Sequence, residues 1–414
     1  MSKIGFIGLG KLGLPCAYAI ASKGHDVYGT DLNTDVKEYI EEKRIPYMEE
    51  GMEKLMQEHT VNFTDLDDVV DKCDIIFVPI QTPHEYKYEG CTRIPDERDD
   101  FSYEWLKKGI TDLSESINLQ TKDKVVIIIS TVLPGTIERE IKPIIKDNPK
   151  FKLCYNPFFI AMGTTIYDFL NPEFVLFGVD DENAATIAED FYKTLHNRPF
   201  YKTAIINAEL IKVSYNTFIG MKIVFANTLM EICHKNGGDV DQVIGGLKLA
   251  TDRIISTKYL RGGMGDGGGC HPRDNIAMSW LAKELNLSHN FFEDIMKARE
   301  DQTEFLADLI MEHEGPYFIL GKTFKEETNL TVGSPAILLY NILKERGVEV
   351  THVDPFVDDF DYDTELVKGT YFIATRHKFF KYLDFPEGST VIDVWRFMGE
   401  SQNDKVKYIK VGKK

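Results

Sequence analysis

The stretch KIGFIGLGKLGLP, residues 3–15, decides how the rest of the chain is read. An apolar run, IGFI, leads into Gly8-Leu9-Gly10-Lys11-Leu12-Gly13, and LPCAYAIASKG follows with helical periodicity. Glycines at this spacing between a strand and a helix have distinct tasks. The first allows a tight turn, the second lets a pyrophosphate approach the backbone, and the third lets helix and strand pack closely. The N–H groups of the helix N-terminus then face the anion. The next run, DVYGTD, ends on Asp31, whose carboxylate can accept hydrogen bonds from a ribose 2′-hydroxyl and repel a 2′-phosphate. The pattern predicts a dinucleotide site built from Gly8, Gly10, Lys11, Leu12, Gly13 and Asp31 that prefers NAD to NADP.

Outward from this unit, CDIIFVPI and KVVIIIS are further apolar runs with helical segments between them. Strands covered on both faces look like this, so an α/β fold with a Rossmann-type, doubly wound parallel sheet is expected over residues 1–200. Ser130 and Thr131 follow VVIII, and Thr82-Pro83 follow FVPI, which places them at the carboxyl edge of the sheet, where such folds bind ligands. A hydroxyl at a strand end is more often a turn residue than a ligand contact. Residues 201–300 read as a central helical domain interrupted by the glycine-dense RGGMGDGGGC. From Pro316 the alternation returns with YFILG, SPAILLYNILKERG, VEVTHVD, YFIAT and TVIDV. Residues 301–414 are therefore expected to form a second, smaller α/β domain that lacks the glycine fingerprint.

At 414 residues the chain exceeds one core of typical size, and 43% hydrophobic with 28% charged residues is ordinary globular composition. A net charge of −18 without a local basic patch argues against nucleic acid and anionic membranes as partners. The six cysteines, at 16, 73, 91, 154, 233 and 270, form no close pair, which argues against structural zinc and for a reducing compartment. Five of them sit in apolar runs or, for Cys91, in an expected surface loop. The apolar stretch from Ala204 to Cys233 carries Glu209, Lys212, Lys222 and Glu231, so it reads as a buried helix and not a membrane span. A cytoplasmic protein is expected.

Two groups carry reactive chemistry. Glu209, Lys212 and Asn216 share one helix face, so a carboxylate, an ammonium and an amide interrupt an apolar segment. They form either an intrahelical ion pair with a solvated amide, or a proton-transfer lysine beside an oxyanion donor. Cys270 ends the glycine loop and is followed by His271, Pro272, Arg273 and Asp274, after which NIAMSWLAKEL reads as a helix. A cysteine just before a helix N-terminus, close to a guanidinium and uncrowded by side chains, is a credible nucleophile.

In chain order, GLGKLGLP, QTP, STVLPGT, YNP with NPEFVLFG, AELIKVSYN, GDGGGCHPRD, LGKTFKEETN and SPA resemble the UDP-glucose/GDP-mannose dehydrogenase family over nearly the whole chain. The resemblance implies that a nucleotide sugar's primary alcohol, that of UDP-glucose as the first guess, is oxidised through an aldehyde and a cysteine thioester to the uronic acid, with two NADH formed. It implies Cys270 as nucleophile, Lys212 and Asn216 as oxyanion and proton-transfer groups, and Asp274 with Thr131 as organisers of the catalytic water. Thr82, Pro83, Ser130 and Arg273 would join the cofactor site. The nucleotide sugar would meet Phe158, Phe159, Ile160, Lys212, Asn216, Arg253, Arg261, Gly265, Gly267, Phe324, Lys325 and Arg396. Arg253 from a neighbouring subunit implies a homodimer or larger assembly, with the helix from Ala204 as its interface.

The chain also departs from the family pattern. Phe158 and Met162 stand where family members carry glutamates, and the first of these is an acid/base group of a kind worth ~10²–10⁴-fold. Glu173, in a literal NPEF, matches a later segment of the family and has no catalytic assignment. Asp266 occupies a loop position that is commonly aromatic and is a candidate replacement carboxylate. Val332 and Val36 stand where basic residues are usual, and Arg273 replaces a lysine. A two-electron dehydrogenase and a non-catalytic nucleotide-binding protein are the alternatives.

Overall fold

A computed structural model describes residues 2–251, 258–259, 261–284, 290–359, 365–399 and 404–413, apart from the side chains at 228, 232 and 236. Where the sequence suggests three segments, the chain packs as two compact units, Met1–Pro83 with Phe101–Ser214, and His84–Asp100 with Tyr215–Lys414.

The first unit holds β1 (Lys3–Ile7), β2 (Asp26–Thr30), β3 (Asn62–Phe63), β4 (Ile75–Val78), β5 (Lys124–Ile128), β6 (Phe151–Tyr155), β7 (Val175–Val179) and β8 (Phe200–Ala204). They form one sheet in the order β3-β2-β1-β4-β5-β6-β7-β8. The first six strands follow the doubly wound order, with the switch between β1 and β4. Every residue of β4 and β5 is buried, which is why neither shows the alternation of a half-exposed strand. The sheet is not parallel throughout: β7 runs antiparallel to β6, while β8 returns parallel to β7. The helix Gly13–Ala21 is buried along its whole length, and its tyrosine, Tyr18, joins Phe6 and Phe77 in the core.

The second unit holds β9 (Tyr317–Leu320), β10 (Val350–Val353), β11 (Thr370–Ile373), β12 (Thr390–Asp393) and β13 (Lys407–Lys410), all parallel, in the order β10-β9-β11-β12-β13. This is again a doubly wound order, with the switch between β9 and β11. The helix Pro335–Glu345 starts with proline in its first turn, and the Ser334 hydroxyl accepts the Ala336 N–H at 3.2 Å. The helix Ile205–Asn236 belongs to the first unit up to Ser214 and to the second from Tyr215. Among the described residues no helix is long and apolar enough to cross a membrane.

Residues 84–100 leave the first unit after β4 and pack within the second. Tyr88 joins an apolar cluster with Ile276 and Met296, the Cys91 carbonyl accepts from Asn341 Nδ2 at 2.5 Å, and Arg93 reaches Glu304 and Glu345. Cys91 is therefore buried at 2% exposure, which corrects its reading as a surface-loop residue. Nothing in its own neighbourhood marks this, because the partners lie some two hundred residues away in sequence.

Burial lowers the imidazole of His352, on β10, to about 4 from an ordinary 6.5, and that of His84 likewise to about 4. The unfolded chain takes up these protons near 6.5 while the folded chain resists them. The contribution of these two imidazoles to stability is thus fully present above pH 6.5 and is lost as the pH falls towards 4. The urea midpoint of the wild type should fall across this window, and His352→Gln, which can still donate to the Gly321 carbonyl, should fall less. Identical slopes would remove His352 from the account.

Candidate active site

The glycine turn after β1 has the geometry that a pyrophosphate needs. Gly8 has φ of +110°, and a Cβ on Gly13 would lie 2.2 Å from the Gly8 carbonyl oxygen, so helix and turn touch through backbone alone. A Cβ at Gly10 would meet nothing within 4 Å, which leaves its backbone open to a ligand. Asp31 Oδ2 accepts the Leu9 N–H at 2.6 Å and Oδ1 accepts the Asn33 N–H at 2.7 Å. The carboxylate thus fixes the turn, and its remaining lone pairs can accept from a ribose diol. These residues fit NAD. Lys11 is exposed, whereas Leu12 packs against the core.

Across the switch, the strand ends are braced by hydroxyls. Thr82 Oγ1 donates to the Thr131 carbonyl at 2.6 Å, and Ser130 Oγ donates to the Ile80 carbonyl at 2.5 Å. The Pro83 carbonyl accepts the Ser102 N–H at 2.8 Å. The turn beyond Thr131 is held by Glu209, fully buried, whose carboxylate accepts the Gly135 N–H at 2.6 Å and the Ile137 N–H at 2.8 Å. Ile137 opens a helical segment, so the carboxylate also meets the positive end of its dipole. Burial raises the Glu209 carboxyl above its usual range, and the two N–H bonds oppose that rise. Glu209 is therefore a clamp between the Thr131 turn and the helix that carries Lys212. Of the two sequence readings, the ion pair gives way to this one. Lys212 is 5% exposed, with Nζ 5.3 Å from the centre of the Phe159 ring. Phe158 turns to Phe169, 5.3 Å between ring centres, and with Ile160 packs against the core of the first unit.

In the second unit, Cys270 stands where the helix His271–Glu284 begins. Its carbonyl accepts the Asp274 N–H at 2.8 Å, which makes it the cap residue of that helix. Asp274 is fully buried. Its Oδ2 accepts from Asn216 Nδ2 at 2.5 Å, and its Oδ1 accepts from Arg273 Nε at 3.2 Å and Nη2 at 3.1 Å. Asn216, Arg273 and Asp274 thus form one network on the first turn behind Cys270. Arg273, expected at the cofactor, neutralises Asp274 here.

The loop before Cys270 is held by Arg299, itself 1% exposed. Its guanidinium donates to Asp266 Oδ1 at 2.7 Å, to the Asp266 carbonyl, to the Gly90 carbonyl at 3.0 Å and to the Gly333 carbonyl at 3.2 Å. Asp266, at 2% exposure, gives Oδ1 to this pair, while its Oδ2 is buried without a hydrogen-bond partner among the described residues. A Cβ on Gly267 would fall 2.5 Å from Phe324 Cβ, so the glycine gives that ring its place, while Gly265 lies against Arg299 and Pro335. The Phe324–Lys325 turn is closed by Thr323 and Thr328, whose hydroxyls donate to the Lys325 carbonyl at 3.0 and 2.9 Å. Arg261 is exposed, and its guanidinium lies 6.0 Å from the Trp395 ring centre.

One expected substrate residue is reassigned. The Arg396 side chain is 1% exposed and bonds Asp241 at 3.1 Å, the Gly262 carbonyl at 2.6 Å, and the Val394 and Val411 carbonyls at 2.5 and 3.1 Å. A guanidinium so surrounded is a strut of the fold, not a substrate contact. Arg253 lies outside the described residues. Sequence reasoning missed Arg299, although one signal was present. It interrupts the buried stripe Ile295, Met296, Thr303, Leu306, Ala307 and Ile310, and a charge in such a stripe needs a partner.

Three family models match along the chain, described as the NAD binding domain (residues 2–196), the central domain (206–300) and the UDP binding domain (318–399) of the UDP-glucose/GDP-mannose dehydrogenase family. The UDP-glucose 6-dehydrogenase AglM of Haloferax volcanii is 30% identical over 85% of this chain and 83% of its own length. A GDP-mannose 6-dehydrogenase of Pseudomonas aeruginosa is 27% identical over 86% and 82%. The solved structure of a UDP-glucose dehydrogenase from Pyrobaculum islandicum superposes with a TM-score of 0.87 at 24% identity, covering 100% of this chain and 98% of that one, and shares the fold.

Because Arg299→Met strands the Asp266 charge in the interior, it should cost about 3–5 kcal/mol. The double variant Arg299→Met with Asp266→Leu should recover most of that loss in urea unfolding. A double variant no more stable than the single one would refute the pairing.

Proposed function

Since the chain belongs to the UDP-glucose/GDP-mannose dehydrogenase family and is an NAD-dependent nucleotide-sugar dehydrogenase, we propose that it oxidises the C6 alcohol of a UDP-linked hexose, UDP-glucose foremost, to the uronic acid through a thioester on Cys270. The observation that carries this reading is Cys270 itself, a half-buried thiol capping a helix whose first turn is fixed by the Asn216–Asp274–Arg273 network. The match of residues 318–399 to the family's UDP binding domain supports a nucleotide sugar as the substrate.

NAD, which the Gly8–Gly13 turn and Asp31 would hold, would supply the hydride acceptor for each oxidation. The chain's own groups do the rest. Lys212 takes the proton of the alcohol as the aldehyde forms. Sγ of Cys270 then adds to the aldehyde carbon, and Lys212 and Asn216 stabilise the oxyanion. Once the thiohemiacetal has become a thioester, water held by Asp274 and Thr131 attacks it and returns the thiol. Phe158 favours a second reading, release after one oxidation. Its ring packs on the core where the family places a carboxylate, so the hydrolytic step lacks that proton carrier.

The two readings separate on the count of NADH per sugar consumed, taken with UDP-glucose and then with other UDP- and GDP-sugars. Two NADH with uronic acid is the expected result, with the acid and the second NADH lost in Cys270→Ala. One NADH with free aldehyde would establish the second reading, and uronic acid from Cys270→Ala at the parental rate would rule out the thioester.

The working unit proposed is a homodimer. Ile206, Leu210, Phe218 and Phe225 are 55, 44, 39 and 50% exposed along the helix Ile205–Asn236, an apolar stripe of the kind another copy covers. Sedimentation should give a dimer for the wild type and a lighter species for Phe225→Glu; a monomeric wild type would end this assignment.

A further inference from the structure

At the carboxyl edge of the second sheet, β11 and β12 run parallel with Ile373 opposite Asp393, so the residues that follow, Arg376 and Trp395, emerge at the same edge. Doubly wound sheets bind ligands along this edge, beside the switch in strand order, which falls between β9 and β11. The Arg376 guanidinium lies 5.1 Å from the centre of the Trp395 ring, and that of Arg261 lies 6.0 Å from it. Trp395 is itself fixed. Its indole N–H donates to the Ala374 carbonyl at 2.8 Å, and its ring lies against Gly263, where a Cβ would come within 2.1 Å.

Two like charges thus gather about one aromatic ring, where each gains a cation–π contact and neither neutralises the other. The carboxylate paired with Arg376 is that of Glu326, at 3.0 Å, and Glu326 is exposed. Burial first, and then the charge of Arg261, push the Arg376 guanidinium below its ordinary range, and the Glu326 carboxylate opposes the shift. Arg376 remains 26% exposed, in contrast to the 1% of Arg396.

The residues on either side of Arg376 hold the Phe324–Lys325 turn. Thr375 Oγ1 donates to the Thr323 carbonyl at 2.6 Å. His377 Nδ1 accepts the Glu327 N–H at 3.0 Å, and its Nε2 lies 3.0 Å from Asp354 Oδ2 and 3.1 Å from Thr323 Oγ1. One short segment therefore both shapes that turn and presents a guanidinium beside it.

We propose that Arg376, together with Arg261, binds the diphosphate of the nucleotide sugar, and that Trp395 positions the two guanidiniums for it. This assignment rests on the nucleotide-sugar reading. A diphosphate supplies two adjacent anionic groups, matching two cations gathered at one edge, and the planar guanidinium can meet each phosphate through two parallel N–H bonds. Lysine would keep the charge but not the fork.

The test is calorimetric titration of the purified full chain with UDP, UMP, GDP and NAD. Wild type should bind UDP more tightly than UMP. Arg376→Gln should weaken UDP by roughly 10–100-fold, the scale of a lost charge-assisted contact, while UMP changes less and NAD is unaffected. Arg376→Lys should regain only part of the loss, and Trp395→Leu should weaken UDP more than Trp395→Phe. In turnover, Arg376→Gln should raise KM with kcat nearly unchanged. An unchanged urea midpoint in each variant certifies its fold. Wild-type binding of UDP that Arg376→Gln leaves intact overturns the assignment alone. A wild type that binds neither UDP nor GDP overturns the nucleotide-sugar reading and the assignment with it.

Discussion

A carboxylate taken out of water must be met by cations and N–H groups, and two such carboxylates bracket Cys270. Asp266 lies four residues before Cys270 and Asp274 four after it, both buried. Arg299 holds the first, Arg273 and Asn216 the second. Breaking either would strand a charge at a cost of several kcal/mol, so the glycine-rich run between them, which by composition could take many paths, is fixed at both ends. The same bonds draw in the carbonyls of Gly90 and Gly333, and the loop that presents the thiol becomes continuous with the scaffold of its unit.

Each sheet places its candidate ligand groups by the same winding rule. In the first, the glycine turn, Thr82 and Ser130 stand at the carboxyl ends of strands, and hydroxyl bonds tie those ends together. Glu209 extends the bracing to the helix of Lys212, so a buried acid that reads in sequence as an ion-pair partner instead holds a backbone turn. In the second, the Phe324–Lys325 turn depends on Asp354, His377 and Thr375, one from beyond β10 and two from beyond β11. Both surfaces are preorganised, as binding of a multiply charged ligand requires.

Residue type alone does not assign these roles. Arg396 and Arg376 follow neighbouring strands, yet the first is enclosed by carbonyls and a carboxylate while the second stays open beside another cation. Phe158 is a comparable case. An aromatic ring against Phe169 stabilises the core through apolar burial, and that position can no longer carry a proton.

The sequence by itself determined the α/β class, the dinucleotide turn with Asp31, the helix start behind Cys270 and the departure at Phe158. These are local patterns, in which strand period, glycine spacing and capping act over a few residues. Only the tertiary structure decided that residues 84–100 pack with the second unit, that β7 runs antiparallel, that Asp266 is neutralised by Arg299, and that Arg396 is enclosed while Arg376 is open. Each of these turns on a partner distant in sequence, which a single chain without its fold does not specify.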